Sequence, residues 1–188
     1  MAVLPICISG NPVLHNIAEP VTKFDDDLKQ LVEDMYETMD LAPGVGLAAP
    51  QVGIGKRIFV WSYDDQDEGP ARGVAINPVL WITPPTVEEL DDELESEGCL
   101  SFPGERFPLR RSERIRLEAV DLDNKPFTIE ASGWFARVFQ HEYDHLNGLL
   151  YVDRLVHPHS RAAHKAQRKN GWGKPDLAWM PGVDNLEG

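Results

Sequence analysis

Several things are scarce in this chain, and each scarcity removes a class of protein. Cysteine occurs only as Cys7 and Cys99, too few for a secreted disulfide scaffold and in keeping with a reducing compartment. Long apolar runs are missing as well: none approaches the roughly 20 residues that span a bilayer. The opening MAVLPICISG is too short and too interrupted by proline to read as a signal peptide. A soluble cytoplasmic protein with no membrane partner is therefore expected. Basic residues number 18 against 31 acidic, a net charge of −13, which argues against nucleic acid as a substrate for the surface as a whole. No internal repeat is visible, and 188 residues at 42% hydrophobic suit one domain with a sizeable core.

The charge is unevenly spread. Glu88 to Glu97 holds seven carboxylates and no base, whereas Arg154 to Lys174 holds six bases and no acid. The acidic run reads as a solvated loop leading to Cys99.

Regular elements follow from periodicity. Ile8 to Leu14 reads as an extended arm with a Gly-Asn-Pro turn. Asp25, Asp26 and Asp27 start a helix in which Leu28, Leu31, Val32, Met35 and Met39 keep the 3.6 period, and Pro43-Gly44 stops it. Gly44 to Gln51 is a loop of small residues that lets another chain approach the backbone. Arg57 to Tyr63 and Gly73 to Val79 are β-rich and form an antiparallel pair across a polar loop at Asp64 to Gly69. Ile115 to Asp121 and Phe127 to Ala131 form a second hairpin. Strands and helices segregate, so the fold class is α+β: mostly antiparallel strands packed around a central helix, with a C-terminal helix.

That central helix carries the chemistry. Gly133 to Gly148 contains His141-Glu142-Tyr143-Asp144-His145, an HExxH pattern. Histidines four apart lie on one helix face about one turn apart and can reach a single metal ion. Trp134, Val138, His141 and His145 form one stripe, Ser132 is positioned to cap the start, and Gly148 suits the residue just past the end. Two histidines are an incomplete site, because a catalytic metal usually has three protein ligands and an open position. Cys99 in Glu97-Gly98-Cys99-Leu100-Ser101 is a candidate third ligand, and a small buried hydrophobe is the alternative for such a cysteine. This segment alone leaves both open.

Taken together, GVGLAAPQ, EGCLS and QHEYDHLNG resemble the three signature blocks of the peptide deformylase family, in the same order, over a stretch from Asn11 to Leu155. The resemblance implies Cys99, His141 and His145 as ligands of one divalent metal, Fe(II) in cells with zinc, nickel or cobalt as substitutes. It implies Glu142 as general acid and base, and Gln51 with the Leu100 N–H as oxyanion donors. Val45, Gly46 and Leu47 would line a peptide-binding edge; Arg106, Trp134, Arg137 and Val138 would border a methionine pocket, the Arg137 stem serving as wall. The implied substrate is a formyl-Met nascent peptide, and the implied reaction is its deformylation with release of formate. Residues 1–155 would form the catalytic domain, and 156–188 a basic helix and tail belonging to it.

Two other classes suit HExxH alone. A zinc metalloprotease would recruit a downstream ligand, for which His157, His159 and His164 are candidates, and a structural staple would close four ligands, with Cys7 the only other thiol. Pro158 to Asn170 reads as a short helix ended by Gly171, with little apolar area and therefore poorly explained by core packing. Its Arg161, Lys165, Arg168 and Lys169 form a positive face suited to ribosome docking through RNA phosphates.

Overall fold

A computed structural model describes residues 2–65, 69–87, 90–184 and 186–187. Within these, a five-stranded antiparallel sheet runs in the order β2 (Gly46–Ala48), β3 (Ile58–Asp65), β4 (Gly69–Ile82), β7 (Arg114–Val120) and β8 (Pro126–Ser132). Two-stranded pairs join β5 (Ser96–Cys99) to β6 (Phe102–Pro108) and β1 (Ile6–Cys7) to β9 (Ala178–Trp179). Helices α1 (Asp26–Leu41), α2 (Gly133–Leu146) and α3 (His159–Lys169) complete an α+β fold. None of these helices is long and apolar enough to cross a membrane.

Helix α1 begins where the Asp25 carboxylate accepts the Leu28 N–H at 3.1 Å, and Asp26 and Asp27 occupy its positive first turn. It buries Leu28, Val32, Met35 and Met39 against Ile58, Val60 and Leu47 of the sheet. Both expected hairpins form. The first is longer than the alternation indicated, because β4 bends instead of ending near Val79: its register shifts between Ile76 and Val79, and Asn77 takes a left-handed φ of 52° there. The Asn77 amide both accepts from Val21 N and donates to Val21 O at 2.8 Å, which holds the bend. Part of the polar loop expected between β3 and β4, 66–68, lies outside the described residues.

Helix α2 packs Phe135 and Phe139 onto the sheet, with the Phe139 ring 5.8 Å from Phe59 and 5.1 Å from Trp61. Each such ring contributes about 1.5–3 kcal/mol through burial. Ser132 occupies the cap position but its side chain makes no capping bond; Gly133, at φ 56°, turns the chain into the helix instead. The far end closes as expected, with Gly148 at φ 73°, where a Cβ would lie 2.9 Å from His15 C.

Two expectations are overturned here. Gly44 to Gln51 is not a simple loop: Gly46, Leu47 and Ala48 pair with Trp61, Val60 and Phe59, and Ala49–Val52 is a 3-10 turn. Pairing along β3 makes a strand of residues whose side chains carry little strand signal. Helix α3 is also explained by core packing, since Ala163 and Ala166 are buried with Phe102, Phe107, Leu109, Tyr151 and Leu155. Small side chains allow that close approach. Beyond α3, Trp172 packs edge-on to Phe102 at 4.7 Å, and the Trp179 indole donates to Leu100 O at 2.9 Å.

Candidate metal centre and cavity

Helical spacing puts His141 and His145 side by side, and the β5 to β6 turn brings Cys99 to them. Cys99 Sγ lies 3.3 Å from His145 Nε2, which lies 3.3 Å from His141 Nε2, and the three donor atoms all fall within 4.8 Å of one another. Donors around a tetrahedral ion at metal–ligand distances of about 2.0–2.3 Å stand about 3.4–3.6 Å apart, so this set fits a metal. His145 Nδ1 and Glu142 Oε2 are buried without a hydrogen-bond partner. Among the described residues the cluster consists of these three side chains. Cys7 is buried elsewhere with Leu14 and Leu150, its thiol pKa raised by that burial. His157 is exposed, His159 faces Asp92, and His164 Nδ1 meets Ser160 O.

The ligands sit on a buried charge network that the acidic run concealed. Glu97 is 3% exposed, against the expectation of a solvated loop. Its oxygens accept from Arg111 Nη2 at 2.7 Å and Arg137 Nη1 at 3.1 Å, and Oε1 stands 3.4 Å from His141 Nδ1. Arg111 also donates to Asp144 at 2.6 Å, and Asp144 accepts from Arg154 Nε at 2.6 Å. Burial opposes ionisation of Glu97, yet Arg111 and His141 hold its carboxyl well below the usual range. Burial would likewise lower the His141 pKa, but the Cys99 sulfur and the Glu97 carboxylate hold it well above. Burial and the neighbouring His141 keep the His145 pKa well below its ordinary value, leaving the neutral imidazole a metal requires. The run's Glu88 and Glu89 lie outside the described residues.

A cavity of about 260 Å³ opens onto Cys99, His141 and Glu142. Glu142 is 4% exposed, and burial pushes its pKa up to about 7. The Gln51 amide oxygen accepts the Ala48 N–H at 2.8 Å, which turns its NH₂ toward Cys99 Sγ and Ser101 Oγ at 3.7 and 3.3 Å. Val45, Gly46, Leu100, Trp134 and Val138 line the cavity, as do Arg106 and Arg137. The Arg137 head is spent on Glu97 and Leu109 O, so its stem is what remains to form wall. Leu47 is not brought to the cavity; its side chain is fully buried in the core beneath β2. Sequence reasoning missed Glu97 and Arg111, as well as Tyr63 and Glu187, which also line the cavity. Asp144 carried a signal, because a carboxylate inside a helix this apolar needs a buried partner.

Comparison with known proteins finds one family for the chain as a whole. The sequence profile of the polypeptide deformylase family matches residues 3–161. A peptide deformylase of Mycobacterium sp. (strain JLS) is 48% identical over 193 residues, covering 98% of this chain and 97% of that one. That of Tropheryma whipplei (strain TW08/27) is 49% identical over 191 residues, covering 95% and 94%. Among solved structures, the peptide deformylase of Thermus thermophilus shares 42% identity at a TM-score of 0.74, covering 89% of this chain and 94% of that one. The Synechococcus elongatus peptide deformylase, in complex with actinonin, shares 36% at 0.77 over 93% and 92%.

Proposed function

From the premise that this chain belongs to the peptide deformylase family, we propose how its own residues carry the reaction. The protein is a metal-dependent hydrolase that removes the formyl group from the N-terminal formylmethionine of nascent polypeptides and releases formate. The observation that carries the residue assignments is the convergence of Cys99 Sγ with the two Nε2 atoms beside the Glu142 carboxylate.

Cys99, His141 and His145 would hold one divalent ion, Fe(II) in cells and zinc, nickel or cobalt as substitutes. When bound, such an ion supplies Lewis-acid chemistry, acidifying water and polarising the formyl carbonyl. Glu142 accepts the proton of the attacking water and then delivers it to the leaving amine, and a pKa near 7 suits a group that does both. The Gln51 NH₂ and the Leu100 N–H donate to the oxygen that gains charge in the tetrahedral intermediate. The peptide adds along the outer edge of β2, where Val45, Gly46 and Leu47 offer backbone. Its methionine enters among Val138, Trp134 and the Arg137 stem, bordered by Arg106. Residues 1–155 form the catalytic domain, and 156–188 belong to it, a reading supported by the β1–β9 pair and the Trp179 bond to Leu100.

Changing Glu142 to Gln is the direct test: metal content is expected to stay while formate release falls by about 10²- to 10⁴-fold. Turnover close to the parent's would overturn the assignment. Since the substrate is made on the ribosome, we place the enzyme in the cytoplasm and assign docking to the exposed face of α3 opposite Ala163 and Ala166. Arg161, Lys165, Arg168 and Lys169 are exposed there. Reversing these four to Glu is expected to weaken ribosome binding and flatten its salt dependence while peptide hydrolysis continues. Unchanged ribosome affinity would reject the docking role.

A further inference from the structure

Arg106 and Glu187 are charged side chains on the cavity wall that stand outside the Glu97 network. Leu186 and Glu187 lie against the glycine of β6: a Cβ on Gly104 would sit 3.1 Å from Leu186 O. Burial raises the Glu187 pKa, opposed by the Gly104 backbone N–H and the Arg106 charge. That arrangement settles only one of the two oxygens. Glu187 Oε1 is buried with no hydrogen-bond partner. A desolvated carboxylate oxygen without a donor is unfavourable until something supplies one. A peptide entering the cavity can bring such a donor.

Leu100 and Val138 give the cavity apolar wall, which suits the methionine. Charge recognition is therefore left to the residues that follow it. Arg106 alone would attract acidic side chains, and a carboxylate beside it cancels that preference. The net charge of −13 acts in the same direction.

We propose that Glu187 is a specificity-determining residue, favouring formyl-methionyl peptides with a basic side chain after the methionine and disfavouring acidic ones. Pairing with the basic side chain and compensation of Arg106 both contribute. This rests on the reading of the cavity as the peptide site.

The test measures kcat/KM for formyl-Met-Lys-Ala and formyl-Met-Glu-Ala, and for a second pair with the charge one residue further on. The parent enzyme is expected to prefer the lysine peptide of at least one pair by about 2- to 5-fold, the size of one charge contact at a partly solvated rim. Glu187→Gln brings that ratio toward one and Glu187→Lys inverts it, with the change carried by KM and diminished by salt. A merely structural role would alter all peptides together and leave the ratios alone. Ratios that are the same in the parent and both variants overturn the proposal. Val138→Trp serves as the control, expected to raise KM for every peptide by filling the apolar end. If it does not, the cavity reading falls and the proposal falls with it, an outcome distinct from unchanged ratios beside an effective Val138→Trp.

Discussion

Glu142 reaches its place through a gap that only glycine leaves. A Cβ added at Gly46 would lie 2.4 Å from Glu142 Oε1, 2.8 Å from Cδ and 2.9 Å from Cγ, where ordinary contact begins at 3.4 Å. The backbone at Gly46 is outside the left-handed region, so alanine is conformationally acceptable there and the clash is the main effect. Relieving it moves the carboxylate by about 1 Å, and misplacing a catalytic group by that distance lowers the rate about 10²-fold. Gly46→Ala is therefore expected to lower kcat for a formyl-Met peptide by about two orders of magnitude while metal content and the melting temperature stay near the parent's. Formate release, metal analysis and thermal unfolding on one preparation read these separately. A double variant isolates the cause: if alanine acts through Glu142, Gly46→Ala with Glu142→Gln is no slower than Glu142→Gln alone. A kcat close to the parent's with metal bound, or losses that multiply in the double variant, would refute the reasoning.

Arg111→Met leaves Glu97 and Asp144 buried with a partner lost, at a cost of about 3–5 kcal/mol. In a chain of this length that lowers the melting temperature by roughly 6–20 °C, and with His141 no longer steadied through Glu97, metal affinity should fall about 10- to 100-fold. Calorimetry and competition with a chelator measure the two, and an unchanged melting point would show that the network is not stabilising. With Fe(II) bound, air is expected to inactivate the enzyme faster than it does a nickel or zinc form, with any thiol oxidation found by mass spectrometry on Cys99 and not on Cys7, whose thiol pKa is raised by burial. Equal decay for all metals would count against this.

What was legible in the sequence is what depends on near neighbours. The i, i+4 histidines, the capped stripe of α1 and the alternation Ile115, Leu117, Ala119 each record which face of one element turns inward, and each emerges in the structure where its period put it. The failures share another cause, because each depends on a partner far away in the chain. Glu97 sits in a run of acids and looks solvated, but Arg111 and Arg137, which neutralise it, belong to a later loop and to α2. Ala163 and Ala166 offer too little area to announce a buried face until Phe102, Phe107 and Tyr151 come up against them. Gly46 was read as allowing a peptide to approach, and the fold adds a second demand on the same missing Cβ, from the Glu142 carboxylate on its other side. A substitution there tests catalysis and peptide binding together, which is why the double variant with Glu142→Gln is needed to separate them.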